Sequence, residues 1–293
     1  MAVITLVQLV INGLALGAAY ALVALGFVFI VNATGAVNFA HGDLVMAGGY
    51  VAVGLGSLAE IPALYYLPLV AILMFALGVA VSLVAYFPLI NRPPSTVFIS
   101  TLLCGIILQN AFVVLFGPQA HAAPPLLKSG IAHVGEIEIS IQAMGTIVVA
   151  AILVALQYLL FTRTQLGRRL RATAEDRQMA QAVGIPAFAL IASTFGLGTA
   201  LAGIAGALLA NQFFVYPTGG IPLSVYAYIA VVIGGWGSIA GAVIGALIIS
   251  LFQVVVSAYV SYAAATGLLY VTLLLIFVVR PQGIFGERVQ RRA

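Results

Sequence analysis

The chain has 293 residues, 63% of them hydrophobic and 6% charged, with a formal net charge of +4. An average soluble chain carries roughly 25% charged residues, so eleven Lys+Arg and seven Asp+Glu cannot cover a water-facing surface. These figures exclude a soluble globular enzyme and a nucleic-acid-binding surface, and they describe a polytopic membrane protein. The apolar residues run in long blocks rather than alternating stretches of about ten, which excludes a transmembrane β-barrel.

Residues 3–31 form the first expected span. The stretch begins without Lys or Arg and is too long for the apolar region of a signal peptide, so a spanning helix is expected rather than a cleaved leader. A polar, Gly-bearing segment follows, Asn32 to Asp43, and apolar character resumes over residues 44–58. That run is short for a helical crossing of about 20 residues.

Longer spans are expected at residues 65–90 and 97–116, separated by the breaker Asn91-Arg92-Pro93-Pro94-Ser95. The second contains Cys104, the only cysteine, so an intrachain disulfide and a cysteine metal site are both excluded. Residues 117–138 make the longest non-basic connection. His121 and His133 lie in it too far apart, and with too few carboxylates, for a metal site, and they read as solvated loop residues.

Another span covers residues 139–161, followed by the one strongly charged region, 163–177. Spans resume at 188–210, and residues 211–222 read as a polar turn. The block 225–256 is too long for one helix and is broken at Gly234-Gly235-Trp236-Gly237-Ser238. A last span, 266–279, ends in a basic tail. The expected fold class is all-α: one transmembrane domain over residues 1–293, with about eight spanning helices and Gly-interrupted or re-entrant segments. The two basic clusters, 163–177 and 280–292, read as cytoplasmic by the positive-inside rule.

Two segments look like helices that restart within or near the membrane. His41-Gly42-Asp43 and Trp236-Gly237-Ser238 each place a good N-cap residue after Gly and before a Gly/Ala-rich run. Broken helices in two halves of a transporter point to a solute pathway, while small residues also serve close helix packing. Asn38, His41, Gly42, Asp43, Gly235, Trp236, Gly237 and Ser238 are therefore candidates for the translocation path. Asp43 either caps a helix, lies at the interface or lines a wet cavity. His41 either hydrogen-bonds in a tight turn or joins Asp43 in a proton relay, and Trp236 is an interfacial anchor or part of a packed turn.

The charged region, 163–186, holds a short amphipathic helix. Thr173 is placed to cap it, with Glu175 and Asp176 in the first turn. Met179, Ala182 and Val183 share a face, Gly184 supplies a stop, and Pro186 prevents continuation. The segment is either a basic loop that only sets topology or a knob that docks on a soluble partner. No Gly-rich lead-in precedes Lys128, the single lysine, so the chain lacks a P-loop and any ATP must be hydrolysed elsewhere.

The segment Ala172 to Pro186 resembles the coupling loop of ABC importer permeases. Together with Val37-Asn38-Phe39-Ala40-His41-Gly42-Asp43, Gly48-Gly49-Tyr50, Gly234 to Ser238 and the tail from Arg280 to Gly286, it resembles the LivH-type permease of branched-chain amino acid ABC transporters along nearly the whole chain. The resemblance implies a non-catalytic multi-pass subunit of the bacterial cytoplasmic (inner) membrane, in contact with membrane lipid and binding no cofactor itself. It implies four partners: a second, LivM-type permease, two cytoplasmic ATPases that bind ATP and Mg, and an extracytoplasmic substrate-binding protein. Thr173, Glu175, Asp176, Met179 and Gly184 then become ATPase-coupling positions. The implied cargo is a branched-chain or related amino acid, with amides and urea also carried in the family. A secondary transporter or channel would use the same broken helices without ATPases. A membrane-embedded enzyme would need a constellation such as His-Glu-x-x-His, which the sequence does not contain.

Overall fold

Hydrocarbon offers the backbone no partners, so a spanning chain must satisfy its N–H and C=O groups inside helices. The computed structural model describes residues 2–58, 62–127, 130–134, 137–279 and 283–284, and within them the chain is helical almost throughout. Most of the tail motif at 280–286, with Lys128 and Glu136, lies outside the described residues. The first helix, α1 (Ala2–Thr34), is followed by α2 (His41–Leu58), α3 (Leu67–Val81) and α4 (Pro94–Phe116). A π-turn at Ser82–Tyr86 and a 3-10 turn at Phe87–Leu89 continue α3 towards the Pro93-Pro94 breaker. A hairpin, β1 (Ile131–Val134) and β2 (Ile137–Ser140), pairs antiparallel with Ile131 opposite Ser140, which adds a little strand to a region expected to be loop.

The remaining helices are α5 (Ile141–Arg163), α6 (Gln165–Glu175), α7 (Arg177–Ala182), α8 (Ala187–Gln212), α9 (Gly220–Gly234), α10 (Ile239–Tyr259) and α11 (Tyr262–Val279). Among the described residues seven helices are long and apolar enough to cross a membrane; α2 and α9, with 18 and 15 residues, are shorter pieces. The break expected at residues 234–238 is present. Gly235 and Gly237 turn the chain at φ 112° and 83°, and Ser238 Oγ accepts the Gly241 N–H at 3.0 Å to start α10.

Burial separates inner from outer helices. The most apolar stretch of α1 is 94% buried and that of α8 67%, against 17% for α4 and 11% for α11. Gly and Ala dominate the buried face of α8, letting α1, α2 and α3 close on it. Ile107, Val114, Leu274 and Val278 face outward from α4 and α11, where lipid replaces the missing packing partners.

The ends of the bundle follow from three contacts. Asn32, near the end of α1, donates its Nδ2–H to Gly237 O at 3.0 Å, and the Ile284 N–H reaches Ile233 O at 2.8 Å. A cavity of about 410 Å3 brings Asn32 and Gly237 beside Arg171 and Glu175 of α6. Hence α1 ends, and α11 ends, at the face that carries α6 and α7, and α1 starts at the opposite face. In a Cys104→Ser background, single cysteines replacing Leu6 and Val183 should react with a membrane-impermeant maleimide from opposite sides of the membrane. Labelling of both from the same side would refute this course of α1.

Candidate functional site

The chain turns back after α1 before α2 begins. Asn38 Oδ1 accepts the Ala40 N–H at 3.1 Å, and the Phe39 N–H goes to Thr101 Oγ1 at 3.1 Å, which fixes the turn against α4. Helix α2 then starts at His41, so Asp43 sits inside its first turn. This corrects the expectation that a residue after Gly42 caps the helix: Asn38 organises the turn three residues ahead of the start.

His41 is fully buried, and its Nε2–H donates to Val23 O at 2.9 Å, with Phe27 set edge-on at 5.8 Å. A carbonyl only accepts, so the ring nitrogen facing it carries the proton. Asp43, 7% exposed, accepts from Gln109 Nε2 at 2.9 Å. The two side chains therefore bond to different helices, His41 to α1 and Asp43 to α4. No bond joins them in a relay.

Gly105, the midpoint of α4, lies against the Asp43 carboxyl, which puts this turn at the middle of the bundle's depth. The start of α9 arrives at the same place. The Gly42 N–H donates to Ser224 Oγ at 2.8 Å, and a Cβ on either Gly42 or Gly220 would strike the other's backbone. Two short helices thus begin side by side at mid-depth. Gly220, Ser224, Gly105 and Gln109 escaped the sequence reading; the available signal was Gly219-Gly220-Ile221-Pro222, where Pro at the third helical position marks a start as well as a turn.

The candidate path set divides in two. Asn38, His41, Gly42 and Asp43 belong to this junction, whereas Gly235, Trp236, Gly237 and Ser238 lie at the α6 end, tied through Gly237 to Asn32. Trp236 packs edge-on to Tyr228 at 5.9 Å and Phe27 at 6.5 Å while 46% exposed, so it belongs to a packed turn with one open face.

The charged segment 163–186 contains two helices. Thr164 caps α6 through the Gly167 N–H, and α6 turns Leu170 and Thr173 inward. Thr173 is 3% exposed and donates to Arg169 O at 2.9 Å, so it is an interior residue and not the expected cap. Asp176 takes that role: its Oδ1 accepts the Gln178 and Met179 N–H groups, each at 2.9 Å. The reason is local, since 165–175 contains good helix formers with Leu166, Leu170 and Thr173 spaced to pack inward, and Asp176 is the first strong cap after them. Glu175 ends α6 exposed.

At the other end Gly184, φ +82°, donates to Gln181 O while Ile185 donates to Ala180 O, closing α7 with a paired reverse bond pattern. Arg177 Nη2 donates to Asn91 Oδ1 at 3.0 Å, tying α7 to the turn after α3. Met179 and Val183 stand 62% and 69% exposed, while Ala180 is buried. Elsewhere, His121 Nε2 bonds Phe116 O at 2.9 Å and the residue bridges Val215, so it is a structural part of the opposite face, not a free loop side chain.

Comparison with known proteins agrees with this arrangement over almost its full length. Residues 9–279 match the family described as the permease component of branched-chain amino acid transport systems. The chain is 34% identical to the high-affinity branched-chain amino acid transport system permease protein LivH of Escherichia coli K12, covering 96% of this chain and 95% of that one. It is 32% identical to the corresponding permease BraD of Pseudomonas aeruginosa, with the same coverage, and 30% identical to a probable LivH of Methanocaldococcus jannaschii over 90% of this chain and 88% of that one. No solved structure matches. A multi-pass bundle, a mid-depth junction of short helices and a match along nearly the whole chain lead to one assignment: this protein belongs to the branched-chain amino acid permease family of the cytoplasmic membrane.

Proposed function

We propose that the chain is one permease half of an ATP-driven importer for branched-chain or related amino acids, paired with a second, LivM-like permease. In this reading two cytoplasmic ATPases hydrolyse Mg-bound ATP and grip α7, and a substrate-binding protein delivers solute to the opposite face. The observation that carries it is α7 itself. A six-residue helix, capped by Asp176 and stopped by Gly184, holds the exposed Met179 and Val183 in a fixed place beyond the spans. Apolar side chains displayed on a rigid, charge-rimmed knob suit a groove on a soluble partner. Arg163, Arg168, Arg169, Arg171 and Arg177 cluster in the sequence leading into it, which supports a cytoplasmic position for this end.

The junction would be the narrow part of the path. A carboxylate at mid-membrane costs roughly 2.5–3.5 kcal/mol on insertion scales. The Gln109 bond contributes about 1.5–3 kcal/mol as a hydrogen bond to a charge, and the first turn of α2 adds about 0.3–1 kcal/mol through the helix dipole. These terms offset much of that cost, so Asp43 can be buried in the junction with Gln109 as its partner.

Three outcomes are expected. Met179→Asp should leave the chain folded but strip the ATPases on copurification and lower ATP-dependent uptake by about tenfold or more; retained ATPases and normal uptake would remove α7 from the mechanism. Asp176→Asn should keep coupling, because Asn caps as well as Asp, whereas Asp176→Ala should loosen α7 by about 1 kcal/mol, read as faster hydrogen exchange over 177–183. Gln109→Leu should lower thermal stability by about 1–3 kcal/mol, and adding Asp43→Asn should recover part of it. Equal stability of Gln109→Leu and the parent would show that Asp43 does not depend on this bond.

A further inference from the structure

Helix α6 folds back against the end of a span. A Cβ at Gly167 would strike the Leu160 and Phe161 carbonyls of α5, and Arg171 Nη1 donates to Phe161 O at 2.6 Å. Leu170 and Thr173 are buried on the bundle, while Arg168, Arg169 and Arg171 stand exposed. The helix therefore lies at the level where α5 leaves the hydrocarbon, with an apolar side inward and a basic side outward, as an interfacial amphipathic helix does. Arg163, Arg168, Arg169 and Arg171 fall within nine residues, and no Asp or Glu stands among them. Among the described residues none of the four pairs with a carboxylate, and Arg163, Arg168 and Arg169 make no side-chain hydrogen bond.

The cavity of about 410 Å3 opens beside these cations, and its volume falls within the roughly 300–1,000 Å3 range of small-molecule sites. Arg171 and Glu175 line it from α6, and Tyr158 and Thr162 line it from α5. Phe29, stacked on Phe161 at 4.2 Å, makes part of its apolar wall. Tyr158 is 56% exposed, and its neighbour Leu159 also faces outward from α5. The cavity thus opens sideways to the bilayer as well as towards the basic face of α6.

We propose that this cleft binds an anionic phospholipid from the leaflet that α6 borders. The phosphate lies at Arg168 and Arg171, which stand one turn apart on α6. Arg171 gives one of its five N–H groups to Phe161 O and keeps the rest for the ligand. The Tyr158 and Thr162 hydroxyls meet the glycerol region, and an acyl chain runs down the outer face of α5. Glu175, one turn beyond Arg171, lines the far end and holds the anion towards Arg168. An arginine near a bilayer surface strengthens attraction to anionic lipid about fivefold. A free phosphate would leave the sideways opening and the apolar wall without use, and a soluble protein would not reach the side that faces lipid. The site stands apart from the importer reading, because it needs only the bilayer.

The test uses the full chain in phosphatidylcholine vesicles, carrying Cys104→Ser and a bimane label on Ala155→Cys. Ala155 is exposed on the same face of α5 as Tyr158 and Thr162, about 12 Å along the helix from Arg163. Phosphatidylglycerol brominated in its acyl chains should quench the label at a several-fold lower mole fraction than brominated phosphatidylcholine. The same label on Leu274→Cys of α11 should show no such preference. Arg168 makes no bond that holds the fold, so Arg168→Gln should bring the Ala155 preference close to one, and Arg168→Lys should keep most of it. Equal quenching by the two lipids, or a preference that Arg168→Gln leaves unchanged, would overturn the site. A preference abolished by millimolar sodium phosphate, but not by sodium chloride of equal ionic strength, would give the arginines to a free anion. Equal quenching together with loss of the ATPases from Arg168→Gln on copurification would give them to a protein partner, and either result overturns the lipid assignment.

Discussion

A helix that stops inside hydrocarbon leaves N–H groups that water cannot reach, and this molecule is organised around the meeting of two such ends. Helices α2 and α9 begin at one depth, and the Gly42 N–H finds its acceptor in Ser224, one turn into α9. The contact works only because neither Gly42 nor Gly220 carries a Cβ. Once the two starts are locked together, α4 must pass with Gly105 towards them, because a side chain there would enter the Asp43 carboxyl. The junction therefore sets the approach of α2, α4 and α9 at once, and α1 joins through the Val23 carbonyl that holds His41.

That geometry links α6 and α7 to the middle of the membrane by stiff elements. Helix α7 leads through Ile185 and Pro186 into α8, which packs on α1, α2 and α3. Helix α6 contributes Arg171 and Glu175 to a cavity shared with Asn32 and Gly237. Gly237 belongs to the turn at one end of α9, and Gly220 at its other end is the junction. Fifteen residues of helix span about 22 Å, so α9 joins the α6 face to mid-depth as a single rod. In the proposed importer this would give a partner closing on α7 a short mechanical route to the junction.

The spans were legible because hydrophobic runs of about 20 residues have one solution in a bilayer. The break at Gly234–Ser238 was legible for the same reason: the block was too long, and Gly-Trp-Gly-Ser supplies a turn and a cap within five residues. Gly184 was readable as a stop because only a left-handed residue satisfies the bond pattern there. The start of α9 was not readable. Its defining partners, Gly42 and Asp43, lie more than 170 residues away in sequence, and locally the segment has the composition of any turn. Thr173 was misplaced by weighing capping types alone. Both Thr173 and Asp176 can cap, but only tertiary packing of Leu170 and Thr173 on the bundle decides that α6 runs on past the first of them.

The chemistry of the junction is weak by the standards of a permanent core. A backbone amide donates to a hydroxyl, an imidazole to a carbonyl and a side-chain amide to a carboxylate. Neutral hydrogen bonds contribute about 0.5–1.5 kcal/mol each, whereas parting a buried ion pair costs about 3–5 kcal/mol. In the proposed importer the junction would be a passage that opens and closes with every solute, working between states separated by only a few kcal/mol. A salt bridge at Asp43 would lock one of those states, and a bare carboxylate would favour whichever state lets water in. In the proposed importer, one amide from Gln109 would hold the carboxylate in place and leave both arrangements within reach of the energy a partner delivers at α7.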